Sequence, residues 1–230
     1  MMAPPGISLI IPAYNAGRYL REAIDSALNQ TMIPRQIVVV DDGSTDDTLE
    51  IARSYGAAVT AISQLNAGTS IARNRGLAEA NQPMIAFLDA DDRFAPNKLE
   101  RQLQLLSGRP DAMLCLCRAC DFWSPDLPDS ARHAAKLAPQ FRPGQAGTWL
   151  VRREIFQRIG NFSTAPDFEF SEGSELYTRI ESAGLGIVRT EEVLVERRLH
   201  ASNKTTNSKA HLDGIMALMK RRLELQRRSA

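Results

Sequence analysis

Short apolar runs alternate with segments of helical periodicity along the first half of the chain, and this alternation constrains the fold more than any other feature. The runs at 7–12, 36–40 and 84–88 are almost entirely apolar, and each is too short to be a buried helix. Between them, apolar residues recur at helical spacing, as at Leu20 and Ile24. Strands that alternate with helices in this way form a doubly wound α/β sheet. The sequence therefore predicts a mixed, mostly parallel, Rossmann-like sheet with helices on both faces.

The same patterns predict the remaining elements. Pro96 is expected in the first turn of a helix that ends near Gly108, and Gly160 is expected to end a short helix. The stretch 121–147 contains four prolines and is expected to be a long loop. Further strands are predicted at 57–63, 112–118, 185–188 and 193–197, and further helices from about 46 to 55, from 66 to 80 and from 208 to 230.

Composition excludes several classes of protein. The formal net charge of +1 over 230 residues provides no overall field that would attract nucleic acid or a membrane. The N-terminus has no basic region before the first strand, and no run approaches the roughly 18 apolar residues of a membrane span. A cytoplasmic location is expected. The three clustered cysteines, Cys115, Cys117 and Cys120, have no second Cys or His group as partner, so buried reduced thiols on a strand are favoured over a metal cluster.

Polar loops follow three of the predicted strands. The aromatic and amide pair Tyr14-Asn15 follows the first strand, Asp41-Asp42 follows the second, and the acidic turn 89–92 follows the fourth. The carboxyl ends of parallel strands meet at one edge of the sheet, where open α/β folds bind ligands. An aromatic ring, hydrogen-bond acceptors and carboxylates suited to a hard cation are what a nucleoside diphosphate and its Mg²⁺ or Mn²⁺ require. The alternative, for the acidic turn taken alone, is a solvated surface turn.

Five short motifs carry a resemblance to a known family. They are Ser-Leu-Ile-Ile-Pro-Ala-Tyr-Asn at 8–15, Val-Asp-Asp-Gly-Ser-Thr-Asp at 40–46, Asn-Ala-Gly at 66–68, Ala-Arg-Asn-Arg-Gly at 72–76 and Phe-Leu-Asp-Ala-Asp-Asp at 87–92. In this order and spacing the chain resembles a family 2 glycosyltransferase of the GT-A fold. The resemblance implies an inverting enzyme that uses a nucleotide sugar and a divalent metal, Mg²⁺ or Mn²⁺.

The resemblance also assigns roles to individual residues. It implies that Tyr14 stacks near the nucleobase, Asp42 binds the base, Asp89 binds the ribose and Asp91 is a metal ligand. Arg73 is implied near the sugar or diphosphate, with a structural ion pair as the alternative. An Arg-x-His element places His200 as a second metal ligand, and Arg198 is either a phosphate partner or a charged strand end. The remaining residues expected to contact the nucleotide sugar are Pro12, Asn15, Asp41, Asn66, Gly68 and Ala90.

The position of the catalytic base departs from the family pattern. Many members carry Glu-Asp at the start of a late helix, with the aspartate as base, and this chain has Glu172-Gly173 there. Glycine has no side chain to accept a proton, so the base is expected to be Glu172, with Asp167, Glu169 and Glu175 as alternatives. A carboxylate at a helix N-terminus is also a favourable partner of the helix dipole, which leaves a purely structural role open.

These features predict a glycosyltransferase that moves a sugar, most favourably from a UDP-sugar, to an acceptor hydroxyl by metal-dependent single displacement with inversion. The alternative is a non-catalytic sugar-nucleotide-binding or scaffolding protein on the same fold, suggested by Gly173. Residues 1–120 are expected to bind the nucleotide sugar and 121–207 to form the acceptor side. The basic, amphipathic helix at 208–230 is expected to dock on the domain or pack in a homodimer, with peripheral membrane contact as the alternative. The sequence does not identify the acceptor.

Overall fold

The fold is built on a central mixed sheet with helices on both faces. The computed structural model describes residues 4–125, 127, 138–168, 171–201, 203, 216, 218, 220 and 221. In chain order its strands and helices are β1 (Ile7–Ala13), α1 (Gly17–Leu28), β2 (Gln36–Asp41), α2 (Thr48–Ser54), β3 (Thr60–Ser63), α3 (Thr69–Glu79), β4 (Met84–Phe87), β5 (Arg93–Phe94), α4 (Lys98–Ser107), β6 (Ala112–Trp123), β7 (Gln140–Phe141), β8 (Trp149–Arg152), α5 (Glu154–Ile159), α6 (Glu172–Ser182) and β9 (Gly186–Leu199).

The described residues form a nine-stranded sheet in the order β3-β2-β1-β4-β8-β6-β9-β5, with β7 paired to β6. Strands β1 to β4 are parallel to one another, and β6 is parallel to β9. Strand β8 is antiparallel to both β4 and β6, and β5 is antiparallel to β9. The predicted mixed, mostly parallel sheet is therefore confirmed.

The central strands are buried on both faces, which explains their largely apolar sequences. Every residue of β1 and β4 is buried. One core lies between the sheet and α1, α2 and α4, and a second lies between the sheet and the helices α5 and α6. The side chains of Phe87 and Trp149 fill the second core, where both pack on the ring of Phe162. The sheet is thus held rigidly from both sides, which keeps its carboxyl edge in a defined shape.

Several predicted boundaries were wrong. The strands expected at 185–188 and 193–197 are one continuous strand, β9, because β6 pairs with it over almost its whole length. Strand β6 itself runs to Trp123, so the loop expected at 121–147 begins later and contains the short strand β7. Helix α4 begins at Lys98 rather than at Pro96. Strand β3 is shorter than expected because a 3-10 turn occupies Gly56–Ala58.

The predicted C-terminal helix lies almost entirely outside the described residues. Of that segment, Met216, Leu218, Lys220 and Arg221 are described, and they are helical. Arg221 contacts the carboxylate of Glu175 at 3.5 Å. Within the described parts of the chain, no helix is both long and apolar enough to cross a bilayer. Docking, dimerisation and membrane contact of this helix stay predictions.

A fully buried lysine lies between α4 and the sheet. The Lys98 ammonium donates to the side-chain oxygen of Gln102 at 2.7 Å and to the Trp149 carbonyl at 3.2 Å. Burial lowers the pKa of Lys98 from 10.5 to about 8, against the opposing effect of the nearby Cys117 and Cys115 thiols. Burial raises the pKa of the Cys117 thiol, and it raises the pKa of Cys115 to about 12, so Cys115 stays protonated over the range in which Lys98 titrates. None of the three cysteines forms a disulfide in the structure.

The buried lysine predicts a specific dependence of stability on pH. Between pH 8 and 10.5 the unfolded chain holds a proton on Lys98 that the native state has lost, so this residue makes the native state more stable as pH rises. We expect the difference in unfolding free energy between the wild type and Lys98→Met to change by about 1 kcal/mol between pH 8 and 9. Cys115 does not disturb this difference between pH 8 and 9, because its raised pKa of about 12 keeps the thiol protonated in the native state of both proteins. Urea titrations at each pH measure it, and a difference independent of pH would contradict the prediction.

Candidate functional site

The loops that follow β1, β2 and β4 meet at the carboxyl edge of the sheet. The Asp42 N–H donates to the Ala13 carbonyl at 2.8 Å, and the Leu88 N–H donates to the Ile10 carbonyl at 3.0 Å. These bonds extend the parallel ladder one residue beyond the strands. Tyr14 and Asp42 directly follow β1 and β2, and Asp89 and Asp91 lie in the turn after β4, so the loops that carry these residues lie at the same edge of the sheet. Their contact with one ligand stays a prediction.

The loop after β1 is held against the turn after β2 by side-chain hydrogen bonds. Asn15 adopts a positive φ of 47°, a conformation that asparagine tolerates better than most residues. Its side-chain oxygen accepts the Thr45 N–H at 2.8 Å, and its own N–H donates to the Ser44 hydroxyl at 2.9 Å. Tyr14 is 45% exposed at this rim. The ring is therefore presented on a fixed backbone, whereas Pro12 is buried within β1 beside Val40.

Both aspartates at the carboxyl end of β2 are buried and hold neighbouring loops. Asp42 accepts the N–H groups of Ala67 at 2.9 Å and Gly68 at 2.8 Å, together with the Gln64 side-chain amide. Asp41 accepts the Ser44 N–H and the Ser63 hydroxyl. Asp42 thus shapes the loop between β3 and α3, which presents an exposed Asn66 at this edge. A direct bond from Asp42 to a nucleobase stays a prediction.

The acidic turn after β4 presents two carboxylates and buries a third. The side chains of Asp89 and Asp91 are 30% and 29% exposed, and Ala90 between them is buried. Asp92 is buried, where its two oxygens accept the Arg198 N–H at 2.9 Å and the Gln145 amide at 3.0 Å. Burial, followed by the charges of Asp91 and Asp89, raises the pKa of Asp92 well above its ordinary value. Asp92 therefore anchors the turn, and the other two carboxylates face outward.

Arg73 connects the acidic turn to the start of α6. Its guanidinium donates to Asp89 at 2.7 Å and to Glu172 at 2.6 Å, and it stacks on the Phe162 ring with 5.3 Å between the guanidinium carbon and the ring centre. Burial alone would lower the pKa of Arg73, but the charges of Asp89 and Glu172 raise it. Of the two roles that the sequence left open for Arg73, the structure shows the ion pair.

Asp91 and His200 lie close enough to share one cation. The Asp91 carboxylate oxygen is 2.9 Å from Nε2 of His200 and 3.4 Å from the Asn203 amide nitrogen. A carboxylate oxygen and an imidazole nitrogen are both ligands of Mn²⁺, and Mg²⁺ sites commonly use one or two carboxylates with water and substrate phosphates. The described residues contain no group of three or more His, Cys, Asp or Glu that could hold a metal ion. The donor set therefore fits a cation whose remaining ligands come from a diphosphate and water.

Comparison with known proteins identifies the family. A sequence model described as "Glycosyl transferase family 2" matches residues 8–166, more than half of the chain. The chain belongs to glycosyl transferase family 2. An uncharacterised glycosyltransferase of Rickettsia prowazekii is 33% identical over 216 residues, covering 89% of this chain and 67% of the relative. The predicted glycosyltransferase is confirmed at this level, and the relative is longer than the chain by more than a third.

Solved structures confirm the fold of the GT-A type. A mannosyltransferase of Pyrobaculum calidifontis, in complex with GDP-Man and Mn²⁺, superimposes with a TM-score of 0.72 at 22% identity, covering 95% of this chain and 65% of that one. S. aureus TarS, in complex with UDP-GlcNAc, superimposes with a TM-score of 0.70 at 20% identity, covering 88% of this chain and 61% of that one. The chain therefore spans less than two thirds of either neighbour.

The start of α6 shows why this family 2 chain has glycine where a base is usual. A Cβ built on Gly173 would overlap the carbonyl oxygen of Gly144, and a Cβ built on Gly144 would overlap the Ser174 hydroxyl. The loop between β7 and β8 thus lies directly against the first turn of α6. An aspartate at 173 has no room unless this loop moves. The absence of a side chain is therefore a packing requirement of this chain.

The three candidate bases that the structure describes occupy different surroundings. Glu172 is 13% exposed, with one oxygen bound to Arg73. Glu175 is 2% exposed and makes a bidentate ion pair with Arg179, whose guanidinium also binds carbonyls at the end of α5. Asp167 is exposed in the short 3-10 turn Pro166–Phe168. Glu169 lies outside the described residues. Only Glu172 of these three joins the network of the acidic turn.

Arg198 is buried beneath the acidic turn rather than exposed at the edge of the site. Its side chain is 3% exposed, between the rings of Tyr19 and Phe122 at 4.7 and 4.5 Å. Its guanidinium donates to the Asp91 carbonyl at 3.0 Å and to Glu22 at 2.6 Å. Arg198 therefore supports the backbone of the acidic turn, and its contact with a phosphate stays a prediction.

Sequence reasoning missed the residues that support the site from the second half of the chain. Gln145, which binds Asp92, lies in the stretch interpreted as a long loop, and no pattern distinguished it from its neighbours. The pairing of Glu22 with Arg198 joins α1 to the end of β9 across most of the chain length. A buried arginine requires a charged or polar partner, but the sequence did not identify the partner of Arg198.

Proposed function

We propose that this chain transfers a sugar from a nucleotide diphosphate sugar to an acceptor hydroxyl, by single displacement with inversion at the anomeric carbon. A UDP-sugar is the donor that we propose first, which the likeness to TarS in complex with UDP-GlcNAc supports. GDP-sugars are the second possibility, since the mannosyltransferase neighbour was solved with GDP-Man.

One observation carries this proposal: a single ion network joins the acidic turn to a carboxylate at the start of α6. Asp89, Arg73 and Glu172 are linked by contacts of 2.7 and 2.6 Å. Asp91 stands two residues from Asp89 in the same turn. A proton acceptor and the carboxylates suited to ribose and metal therefore lie side by side, as a displacement reaction requires.

The residues of the chain take the following roles in the proposal. Tyr14 offers its ring to the nucleobase, and the loop shaped by Asp42 lines the base with Asn15, Asn66 and Gly68 nearby. Asp89 accepts hydrogen bonds from the ribose hydroxyls, and Asp91 with His200 would hold Mg²⁺ or Mn²⁺. The cation, when bound, would neutralise charge that develops on the departing diphosphate. Pro12, Asp41 and Ala90 shape the backbone that carries these groups.

Glu172 is the base that we propose. Among the described residues its Oε1 binds Arg73 and its Oε2 has no hydrogen-bond partner, so that oxygen is left to accept the acceptor's proton. Arg73 orients the carboxylate through the first oxygen. Glu175 is already committed to Arg179, and Asp167 has no contact with the network of the acidic turn. These two residues are the reserve candidates.

The rival is a non-catalytic protein that binds a sugar nucleotide, and the glycine at 173 is the observation that favours it. Both functions predict binding of nucleoside diphosphates, whereas only the enzyme predicts release of the nucleotide from its sugar when an acceptor is present. Measured turnover therefore separates the two, and binding alone does not.

We expect a thermal-shift panel of UDP-, GDP- and dTDP-sugars to reveal the donor class. A ligand at roughly 100 times its Kd stabilises the native state by about 2.7 kcal/mol, which corresponds to a rise of roughly 5 to 10 °C in Tm for a chain of this size. The rise should depend on Mn²⁺, because two protein ligands leave most of the cation's shell to the diphosphate. Panels without any nucleotide-dependent shift, with and without Mn²⁺, would contradict the proposed function.

A further inference from the structure

The ring of Phe162 lies under the guanidinium of Arg73, which joins the acidic turn to α6. The guanidinium carbon is 5.3 Å from the centre of this ring. Phe162 is 3% exposed, and its ring packs against those of Phe87 and Trp149, with 5.2 and 6.2 Å between ring centres. A cation over an aromatic face is attracted by the negative charge of that face, more strongly where water is excluded. The ring is therefore a third contact of the guanidinium, besides its two carboxylate partners.

Asn74, the residue after Arg73 on α3, binds the backbone of Phe162 in both directions. Its side-chain amide donates to the Phe162 carbonyl at 2.9 Å, and its side-chain oxygen accepts the Phe162 N–H at 3.1 Å. The two polar groups of one amide thus satisfy the two polar backbone groups of one residue. We call this pair of hydrogen bonds the amide clamp. It fixes the residue that carries the ring to the helical turn that carries the guanidinium.

The segment directly before Phe162 is fastened to α6. Arg179 of that helix donates to the three successive carbonyls of 159–161, and the bond to the Asn161 carbonyl measures 2.7 Å. Phe162 is therefore tied to α3 by Asn74 and, one residue earlier, to α6 by Arg179. These are the two helices that carry Arg73 and the proposed base.

The ion pairs alone do not fix the guanidinium of Arg73. Its two nitrogen atoms at the tip bind Asp89 and Glu172, whereas its Nε is buried without a hydrogen-bond partner among the described residues. Asp89 is assigned to the ribose, so its carboxylate would have to serve the donor and Arg73 together. The contact with the Phe162 ring does not depend on the donor, so it can hold the guanidinium in the same position before and after the donor binds.

We propose that Asn74 and Phe162 are positioning residues for sugar transfer: the amide clamp holds the ring, the ring holds the Arg73 guanidinium, and Arg73 orients the carboxylate of Glu172. The inference rests on the proposed function, because it assigns the residues that orient the base of the same site. Neither residue is assigned to the donor. Since displacing a catalytic group by about 1 Å can slow a reaction by roughly 100-fold, the clamp acts on the rate of transfer rather than on donor affinity.

The position of Arg73 can be measured without turnover, by NMR of protein labelled with 15N in its arginines. The ring current of Phe162 shifts the signal of the Arg73 Nε–H group, and Arg73→Lys assigns that signal because lysine lacks the group. We expect Phe162→Leu to abolish the ring-current shift, since leucine keeps an apolar side chain but has no ring. We expect Asn74→Ala, which removes both hydrogen bonds of the amide clamp, to reduce the shift.

Gln36→Ala is the matched control at the other end of α3. The Gln36 side chain donates to the Glu79 carbonyl and accepts the Asn81 N–H, both at 3.0 Å, at the edge of the sheet opposite the site. The substitution removes the same two kinds of hydrogen bond as Asn74→Ala, so the two variants should lose similar stability. The Arg73 signal and the rate of transfer should change only in Asn74→Ala.

Steady-state release of UDP from UDP-GlcNAc, with water or an added alcohol as acceptor, measures the effect on transfer. Any other sugar nucleotide that stabilises the protein more takes the place of UDP-GlcNAc. We expect Asn74→Ala and Phe162→Leu each to lower kcat by roughly tenfold or more, with the KM for the donor nearly unchanged. The double variant should be little slower than the slower single variant, because both substitutions act through the same contact with Arg73.

Three results would overturn the inference. They are an Arg73 signal that is unchanged in Asn74→Ala, equal losses of kcat in Asn74→Ala and Gln36→Ala, and losses in the two single variants that multiply in the double variant. A wild type that releases nucleotide from no sugar nucleotide would contradict the proposed function instead, and the NMR measurement would still show whether the amide clamp positions Arg73.

Discussion

Glu172→Gln is expected to lower the rate of sugar transfer by roughly two to four orders of magnitude, the range typical for removal of a general base. Glutamine keeps the shape of the side chain, and its oxygen can still accept the hydrogen bond from Arg73 that the glutamate accepts at 2.6 Å. The variant therefore loses the ability to take a proton with little change in the position of the side chain. Affinity for the donor should stay nearly the same, because Glu172 contacts Arg73 and is not among the residues assigned to the donor. Initial rates of nucleotide release with acceptor, and titration of the donor, measure the two effects separately.

Two other carboxylates provide the comparison for this substitution. Glu175→Gln removes the charge from a nearly buried ion pair with Arg179, so its main effect should be a lower Tm. Asp167→Asn alters an exposed carboxylate and should change neither quantity by much. Full transfer activity in Glu172→Gln, with loss of rate but not of stability in one of the other two, would move the base to that residue.

The central sheet could be predicted because its strands are both short and buried on two faces. Strands β1, β2 and β4 are largely apolar, and each is followed by the polar loop that the sequence places there. The candidate donor residues follow those strands immediately, so their convergence at one edge required only parallel pairing. The local sequence was sufficient to predict the position of a residue wherever that position is set by the strand directly before it.

The later elements were less predictable because their pairing depends on distant segments. Strand β9 contains the polar stretch 189–192, which interrupts the apolar pattern that was interpreted as two strands. Its backbone nevertheless pairs with β6 on both sides of that stretch, with irregular register between Leu116 and Ala119. Backbone hydrogen bonds do not require apolar side chains, so the pairing continues where the sequence pattern stops.

The supporting residues of the site could not be predicted for the same reason. Arg73 binds Asp89, which is 16 positions away, and Glu172, which is 99 positions away. The sequence does not show that both carboxylates lie next to Arg73, so it could not decide between an ion pair and a contact with the donor. Gly173 appeared in the sequence only as a missing base. Its close contact with Gly144, 29 residues earlier in the chain, supplies the steric reason for glycine.

The largest expected effect on donor binding comes from Asp91→Asn. The carboxylate oxygen of Asp91 lies 2.9 Å from His200, and asparagine keeps the size of this side chain while removing its charge. A divalent cation held by two protein ligands then loses the only charged one. We expect the Mn²⁺-dependent part of UDP affinity to fall by at least roughly 100-fold, at the upper end of losses seen when groups that merely support metal ligands are removed.

Uridine separates loss of the cation from general damage to the site. It has the base and ribose of UDP but no phosphate, so Asp91→Asn should leave its binding nearly unchanged. Asp89→Asn is the matched substitution two residues earlier in the same turn, and it should weaken uridine and UDP by similar factors because Asp89 is assigned to the ribose. Calorimetric titrations with and without Mn²⁺ give all of these affinities. If Asp91→Asn bound UDP with Mn²⁺ as tightly as the wild type, its carboxylate would not hold the cation, and the metal assignment would have to move to Asp89 or be abandoned.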